Sequence, residues 1–236
     1  MLSDVVAASG GDPLIRWAAQ RMRPGVRAWL RAGAVAVACP DLSRRDRLAV
    51  RGEPDAVAAL LAEVLPEVGP SFRPLGDEAL IGAVANRVPG LEVAGRFAWL
   101  DVTQPVPATG LGDPHWLAGT SGIAELLEEA FPESYAWPGG PGVRRWAGIE
   151  NEHLLAVAAD AWSVPEIGFV AGMATRADAR GRGLAASVCA FLTNELLVGR
   201  QRVALFADYW NSAAIATYRR LGFTLRPLSA AHQRRR

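Results

Sequence analysis

The segment from Arg180 to Ala185 limits the fold more than any other, because it lies between an apolar, strand-like run and an amphipathic helix. The start of a helix leaves backbone N–H groups without partners, and the positive end of the helix dipole increases their attraction for anions. Gly181 and Gly183 carry no Cβ atom that would hold a phosphate away from the backbone, and Arg180 and Arg182 add positive charge. We call residues 180–185 the glycine–arginine loop and expect it to bind a phosphorylated cofactor.

Two other phosphate-binding patterns do not fit this loop. The Walker pattern ends in Gly-Lys-Ser/Thr, and the chain contains no lysine. The dinucleotide pattern requires three spaced glycines and a later acidic residue that closes a second strand, and neither is present. The cofactor is therefore not expected to be a nucleotide held in either of these ways.

The surroundings of the loop predict alternating strands and helices. Residues 168–175 and 203–207 read as buried strands, and the glycines of the first indicate a bulge or a close backbone approach. A helix after the loop repeats apolar residues at helical spacing. Asn211 is the predicted N-cap of a second helix over Ser212–Leu221, with Gly222 at its C′ position. The predicted order is strand, loop, helix, strand, helix, strand.

Two motifs in this region resemble the GCN5-related N-acetyltransferase (GNAT) superfamily. Arg180, Gly183 and Ala185 match its motif A, Gln/Arg-x-x-Gly-x-Gly/Ala, although a proline common before that motif is Ala177 here. The later run resembles the Asn-x-x-Ala-x-x-x-Tyr-x-x-x-Gly-Phe pattern of many members, through Asn211, Ala214, Tyr218, Gly222 and Phe223. The resemblance covers residues 113 to 227 and extends more loosely to the glycine N-acyltransferase-like branch.

The resemblance implies an α/β (α+β) fold, in which a mixed, mainly antiparallel sheet is flanked by helices. Prolines and glycines cluster in residues 104–114, which predicts a linker between residues 1–103 and a catalytic GNAT domain at 115–236. We expect the first part to be an accessory domain or a degenerate GNAT-like half, since it alternates strands and helices without a phosphate loop. Its predicted elements are strands at Ala34–Cys39 and Phe97–Val102 and helices at Asp55–Leu65 and Gly76–Val88.

The chemistry that the resemblance implies is direct transfer of an acetyl group from acetyl-CoA to an amine of a small molecule or peptide. Tyr218 is the candidate general acid beside the thioester sulfur, and its alternative role is packing. The candidate bases are Glu166, which begins the Gly168 strand, and Glu150 at the end of a neighbouring strand; Asp208 or a water chain competes with them. Cofactor binding is predicted for Met173, Ala174, Thr175, Arg180, Gly181, Arg182, Gly183, Leu184, Ala185, Asn211 and Tyr218.

The acceptor is expected to bind where the superfamily places it, in the region before the Gly168 strand. Thr120 or Ser121 is the predicted cap of a helix there. Tyr135 and Trp137, in the Pro/Gly-rich loop 132–141, are predicted to line the acceptor pocket, although both rings could instead only pin the loop against the core. A strand pair follows, predicted over Arg145–Glu150 and Leu154–Ala159.

The composition gives no support for nucleic-acid binding, a disulfide framework or a metal site. A formal net charge of +1 gives no reason to expect nucleic acid, although Arg44-Arg45 and Arg234–Arg236 are basic runs. Two cysteines and scattered histidines predict neither a disulfide framework nor a metal site. The chain start lacks a signal-peptide pattern, so we expect a cytoplasmic location without a membrane partner, and we also consider a homodimer. The competing function is a non-catalytic acyl-CoA-binding regulatory module, with nucleic-acid binding third.

Overall fold

The computed structural model of the chain describes residues 1–234, which form two compact units. Unit 1 consists of Met1–Ala98 and the C-terminal segment that begins at Arg226, and unit 2 consists of Trp99–Leu225. The predicted boundary at residues 104–114 differs from this division, because the segment after Trp99 packs within unit 2 and the end of the last strand pairs within unit 1. Such long-range pairing leaves no mark on local composition.

Unit 1 begins with two short helices, followed by an antiparallel meander. Asp12 caps the second helix by accepting the N–H of Ile15 at 3.1 Å, and Pro13 at the first helical position needs no hydrogen-bond acceptor. The elements of unit 1 are α1 (Leu2–Ala8), α2 (Pro13–Ala19), β1 (Arg27–Arg31), β2 (Ala34–Cys39), β3 (Arg47–Gly52), α3 (Pro54–Val68), β4 (Arg73–Asp77), α4 (Glu78–Ala85) and β5 (Leu91–Val102), whose last residues belong to unit 2.

The strands of unit 1 surround a core of small and branched aliphatic side chains. β1, β2 and β3 are antiparallel neighbours, and β4 lies parallel to β3 because α3 forms the crossover. All six residues of β2 are buried, as the continuous apolar run predicts. Leu60, Leu61 and Ile81 from α3 and α4 pack in the same core. The predicted helix Gly76–Val88 is shorter than expected, because Gly76 is the cross-strand partner of Ser229.

Unit 2 repeats this succession of a meander, a crossover helix and a parallel strand. Its elements are β6 (His115–Trp116), α5 (Ile123–Ala130), β7 (Val143–Glu150), β8 (Leu154–Ala161), β9 (Ile167–Thr175), α6 (Leu184–Leu197), β10 (Arg202–Asp208), α7 (Ser212–Arg220) and β11 (Thr224–Gln233), which passes into unit 1. β6 to β9 are antiparallel neighbours, and β10 lies parallel to β9. The predicted mixed, mainly antiparallel sheet flanked by helices is confirmed. The predicted cap of α5 at Thr120 or Ser121 is wrong, because Gly122 occupies that position.

The two units differ at the connection that follows the last strand of each meander, which is β3 in unit 1 and β9 in unit 2. In unit 1, only Glu53 separates β3 from α3; its N–H donates to the Gly33 carbonyl at 3.0 Å, and Pro54 at the first position of α3 has no N–H. In unit 2, residues 176–183 separate β9 from α6 and include the glycine–arginine loop. The start of α3 therefore has no counterpart of the glycine–arginine loop, and the degenerate GNAT-like half stays a prediction.

Aromatic rings fill the core of unit 2 beside β9. Phe169 packs against Phe206 with ring centroids 5.2 Å apart, and Trp99 lies 5.9 and 5.6 Å from the same two rings. Asp160, which is buried, accepts the hydroxyl of Ser163, and the N–H of Phe169 donates to that hydroxyl at 2.7 Å. These contacts fix the beginning of β9, so the end of the same strand has a defined position.

Candidate functional site

The parallel strands β9 and β10 separate before either of them ends. Their pairing runs from Ile167 and Arg202 to Val170 and Leu205, whereas β9 continues to Thr175 and β10 to Asp208. On its other side, β9 stays paired with β8 up to Thr175. The edge of β9 that faces β10 can therefore accept an extended ligand, since its backbone groups there lack a neighbouring strand.

A β-bulge lies where the two strands separate. The register of β8 and β9 shifts between Val157, which pairs with Ala174, and Ala159, which pairs with Ala171. Two residues of β9, Gly172 and Met173, consequently face one residue of β8. Gly172 has a φ of +60°, and a Cβ atom there would lie 2.8 Å from Cη2 of Trp146 and 3.0 Å from Cβ of Ala136. The bulge thus requires glycine, and it brings the backbone against a buried aromatic ring.

The glycine–arginine loop ends in a helix start whose first N–H groups point out of the helix. Gly183 is the N-cap of α6 with a φ of 77°, a conformation that glycine adopts without a steric penalty. The first helical bond in this turn runs from the N–H of Ser187 to the Gly183 carbonyl at 3.1 Å. The N–H groups of Leu184 and Ala185 precede it, so they remain available to an anion at the positive end of the helix dipole.

The two loop arginines have different surroundings. The Arg180 guanidinium donates to the carbonyls of Thr175 at 3.2 Å and Ala130 at 3.3 Å, which ties the loop to β9 and α5. Arg182 is exposed beside the two glycines. Arg180 is therefore placed to hold the loop in shape, and Arg182 is the cation better placed to meet a bound anion.

Tyr218 reaches the bulge from α7. Its hydroxyl donates to Sδ of Met173 at 3.4 Å, and only 7% of the residue is exposed. Burial, with a smaller contribution from Cys189, raises the pKa of the Tyr218 phenol. Asn211 caps α7 by accepting the N–H of Ala214 at 3.1 Å, which confirms that part of its predicted role. The structure thus brings Tyr218 of the Asn211–Phe223 motif to the bulge of β9.

The candidate bases lie at different distances from this point. Glu166 precedes the first residue of β9, so roughly 20 Å of extended strand separates it from Gly172. Glu150 ends β7 and faces His115, with 3.5 Å between Oε1 and Nε2. The hydrogen bond of His115 to the Asp113 carbonyl, and then Glu150, raise the pKa of the imidazole. The structure does not bring Glu166 or Glu150 to the bulge.

Asp208 lies closer to the opening than either glutamate. Three residues beyond the last pair of the parallel strands, β10 reaches Asp208 and β9 reaches Met173. Asp208 is exposed at the end of β10, and its carbonyl accepts the N–H of Asn211 at 3.0 Å. Asp208 therefore ends β10 on the side where β9 and β10 separate, whereas Glu166 lies at the opposite end of β9.

The Pro/Gly-rich loop before β7 meets the bulge through a different residue from the two predicted. Ala136 is buried against Gly172, whereas Tyr135 is 39% exposed. Trp137 donates its indole N–H to the Ser134 carbonyl at 2.7 Å, inside the loop. Trp146 is 3% exposed, and within residues 1–234 its Nε1 has no hydrogen-bond partner. No sequence signal identified Trp146, because its position depends on the pairing of three strands.

The predicted linker also contributes to the site. Asn194 of α6 holds Val106 by two hydrogen bonds, accepting its N–H at 2.9 Å and donating to its carbonyl at 3.0 Å. Five residues after Val106, Leu111 is 45% exposed, and its Cδ1 lies 2.4 Å from the position that a Cβ atom on Gly183 would occupy. The segment therefore crosses the start of α6, and Leu111 covers part of the glycine–arginine loop.

The described residues contain neither a cluster of metal-binding side chains nor a helix that could span a membrane. Among the described residues, no group of three or more His, Cys, Asp or Glu side chains could hold a metal ion. Within residues 1–234, no helix combines the length and apolar character needed to cross a membrane.

Comparison with known families supports the resemblance that the two motifs carry. Residues 147–234 match the family model described as FR47-like protein. A comparison with curated proteins gives no match. The motif region and the fold together confirm the resemblance to the GNAT superfamily, whereas the glycine N-acyltransferase-like branch stays a prediction.

Solved structures of low sequence identity share the fold over nearly the whole chain. A GCN5-related N-acetyltransferase from Kribbella flavida is 18% identical, with 94% of this chain and 95% of that chain covered and a TM-score of 0.65. One from Sphaerobacter thermophilus is 18% identical, with coverages of 99% and 91% and a TM-score of 0.61. An acetyltransferase from the GNAT family of Colwellia psychrerythraea is 14% identical, with coverages of 100% and 97% and a TM-score of 0.57.

Proposed function

We propose that this chain, which has the GNAT fold, is an N-acetyltransferase that moves an acetyl group from acetyl-CoA to an amine of a small molecule or peptide. One observation carries the proposal: the Tyr218 hydroxyl meets Met173 of the bulge where β9 leaves β10. The start of α6, with available N–H groups, is the next α-helix start after β9, beyond residues 176–183. The proposal is therefore supported by an open strand edge, a buried hydroxyl against it and a helix start in the segment that follows.

The donor would bind along β9 and the start of α6. The N–H groups of Leu184 and Ala185, with the exposed Arg182, suit the pyrophosphate of CoA. Space is present as well, because a Cβ atom on Gly181 would have no protein atom within 4 Å. The unpaired edge of β9 at Met173–Thr175 suits the amides of the pantetheine arm, since extended amides pair with a strand edge. The donor supplies the acyl group as a thioester.

Tyr218 is proposed as the general acid. When the amine nitrogen forms its bond to the acyl carbon, the C–S bond breaks and the sulfur leaves as a thiolate that needs a proton. The raised pKa of Tyr218 keeps its phenol protonated across the physiological range. Desolvation is the main cause of that shift, so the phenol enters the reaction with its proton in place.

The proton lost by the amine needs a different acceptor. β9 carries no ionisable side chain between Ile167 and Thr175. We propose that Asp208 accepts the proton through water, because it is exposed and ends β10 on the side where β9 and β10 separate. Asp208→Asn should lower kcat/KM at least tenfold at neutral pH, with Glu166→Gln as the matched control. Equal activity of Asp208→Asn and the wild-type protein would instead favour a water chain alone.

The test of the proposal is the release of free thiol from acetyl-CoA in the presence of a panel of amines. Acyl transfer predicts thiol release that depends on both the amine and the Tyr218 hydroxyl, with Tyr218→Phe lowering kcat more than it weakens donor binding. Binding of acetyl-CoA without thiol release on any amine would favour the non-catalytic regulatory module. The acceptor panel should include polyamines, amino acids, aminoglycosides and short peptides.

A further inference from the structure

Arg44 and Arg45 of the first basic run lie at one cavity in unit 1 together with Arg234, the described residue of the second run. The cavity has a volume of about 780 Å³ and lies among the loop between β2 and β3, the segment before β4 and the end of β11. Its charged lining comprises Arg44, Arg45, Asp41, Asp46, Arg73 and Arg234, with His232 beside them. Residues distant in sequence thus give this cavity an excess of positive charge, since four arginines face two aspartates.

The loop that carries Arg44 and Arg45 is fixed by its own hydrogen bonds. The N–H of Leu42 donates to the Arg45 carbonyl, and Nε of Arg47 donates to the Leu42 carbonyl, both at 2.9 Å. Asp41, Ser43 and Arg44 have φ values of 48°, 54° and 53°. Positive φ is uncommon outside glycine and costs energy, and such residues tend to cluster at ligand sites. This loop therefore presents its arginines from a strained backbone that the surrounding bonds hold.

Two acidic groups at or beside the cavity, Asp46 and Glu92, have structural partners. Oδ1 of Asp46 accepts the N–H of Asp41 at 3.1 Å, and its carbonyl accepts the N–H of Arg73 at 2.9 Å. Glu92, outside the lining, accepts from Nε of Arg234 at 2.7 Å. Asp46 thus shapes the loop, and Glu92 orients Arg234 at the cavity edge.

We propose that this cavity binds a small ligand carrying two linked phosphate groups. Guanidinium groups form paired hydrogen bonds with phosphate oxygens, and here they come from two sides, the β2–β3 loop and the β4 and β11 ends. The volume lies within the range of small-molecule sites. The site is separate from the glycine–arginine loop, because all of its lining residues belong to unit 1.

The test is calorimetric titration of the whole chain with inorganic pyrophosphate at about 0.1 M salt, where surface charges more than a Debye length apart are largely screened. We expect Arg73→Ala and Arg44→Ala each to weaken binding about tenfold, as the loss of a charge-assisted hydrogen bond predicts. Arg87→Ala is the matched control, because Arg87 is an arginine of unit 1 that pairs with Asp55 outside the cavity. Gly183→Ala tests whether the measured pyrophosphate binding occurs at the start of α6 instead of at the cavity.

Each outcome decides the assignment. Binding that falls in both cavity variants and persists in Arg87→Ala and Gly183→Ala supports it. No binding, equal losses in Arg87→Ala, or a loss confined to Gly183→Ala overturns it. A thermal melt of Arg73→Gln shows whether the variant is folded, so that loss of the cation can be distinguished from misfolding. A folded Arg73→Gln variant that binds pyrophosphate normally also overturns the assignment. Tighter, salt-sensitive binding of a random single-stranded oligonucleotide through the same arginines would replace the small-ligand class with nucleic acid.

Discussion

Gly183→Ala tests whether the start of α6 receives the phosphates of the donor. The new Cβ atom would lie 2.4 Å from Cδ1 of Leu111, and Gly183 has a φ of 77°. Leu111 is 45% exposed, so its side chain can turn away into solvent. The remaining cost is backbone strain of about 1–2 kcal/mol. At this chain length, a loss of that size should lower Tm by about 2–8 °C.

The effect on affinity should exceed the effect on stability. Each hydrogen bond between a backbone N–H and a charged phosphate contributes about 1.5–3 kcal/mol, so the loss of one raises Kd about tenfold or more. The assay is calorimetric titration with acetyl-CoA. Gly199→Ala is the matched control, because Gly199 follows the other end of α6 with a φ of +74° and nothing within 4 Å of its Cβ position. Its backbone strain is comparable, and it lies far from the loop along the helix.

Two results would refute this reasoning. In the first, Gly183→Ala and Gly199→Ala lose similar stability and bind acetyl-CoA equally well. The phosphates of the donor would then bind elsewhere than at Gly183. In the double variant Leu111→Ala/Gly183→Ala, we expect neither stability nor affinity to recover, because the cost lies in the backbone of residue 183. Recovered affinity would show that the displaced Leu111 side chain, and not a lost phosphate contact, explains the weaker binding.

Three further predictions concern buried groups of the structure. The pKa of Tyr218 is raised, so the folded state holds this proton more tightly than the unfolded state; the stability of the wild-type protein relative to Tyr218→Phe should fall by about 1.4 kcal/mol per pH unit above about pH 10, measured by urea unfolding. Trp146→Phe, which shortens the ring beside Gly172, should raise kcat/KM for butyryl-CoA relative to acetyl-CoA about tenfold. Burial raises the pKa of Cys39 to about 11 and that of Cys189 to about 12, so a thiol reagent at pH 8 should label them slowly until the chain is unfolded.

Each of these three predictions would be contradicted by a specific result. Parallel pH dependence in Tyr218→Phe and the wild-type protein would place the phenol in contact with solvent. An unchanged preference for acyl chain length in Trp146→Phe, with a normal thermal melt, would separate the ring from the acyl group. Rapid labelling of either cysteine in the folded chain would show that its burial is only transient.

Local signals in the sequence predicted the elements around the site. Asn211 and Gly222 have the chemistry of helix ends, and the structure begins and ends α7 beside them. Gly183 lies at the start of α6 because a left-handed N-cap without a side chain leaves room at the helix dipole. The run Ala34–Cys39 is β2 as predicted, since a continuous apolar run of this length suits a strand buried on both faces.

Features that depend on distant pairing could not be predicted. Trp146 meets Gly172 only because β7, β8 and β9 align in register. The bulge itself consists of a register shift, which the glycines of β9 suggested without fixing its position. The contact of Leu111 with the glycine–arginine loop lies in a segment whose prolines and glycines indicated a linker. Among the candidate bases, only strand pairing distinguishes Asp208 from Glu166.

The most direct test of the account is a crystal structure of the chain grown with acetyl-CoA. We expect pyrophosphate oxygens about 3 Å from the N–H groups of Leu184 and Ala185. We also expect the pantetheine arm along Met173–Thr175 and the thioester sulfur within hydrogen-bond distance of the Tyr218 hydroxyl. Acetyl-CoA bound at another surface, or a thioester remote from Tyr218, would contradict the account.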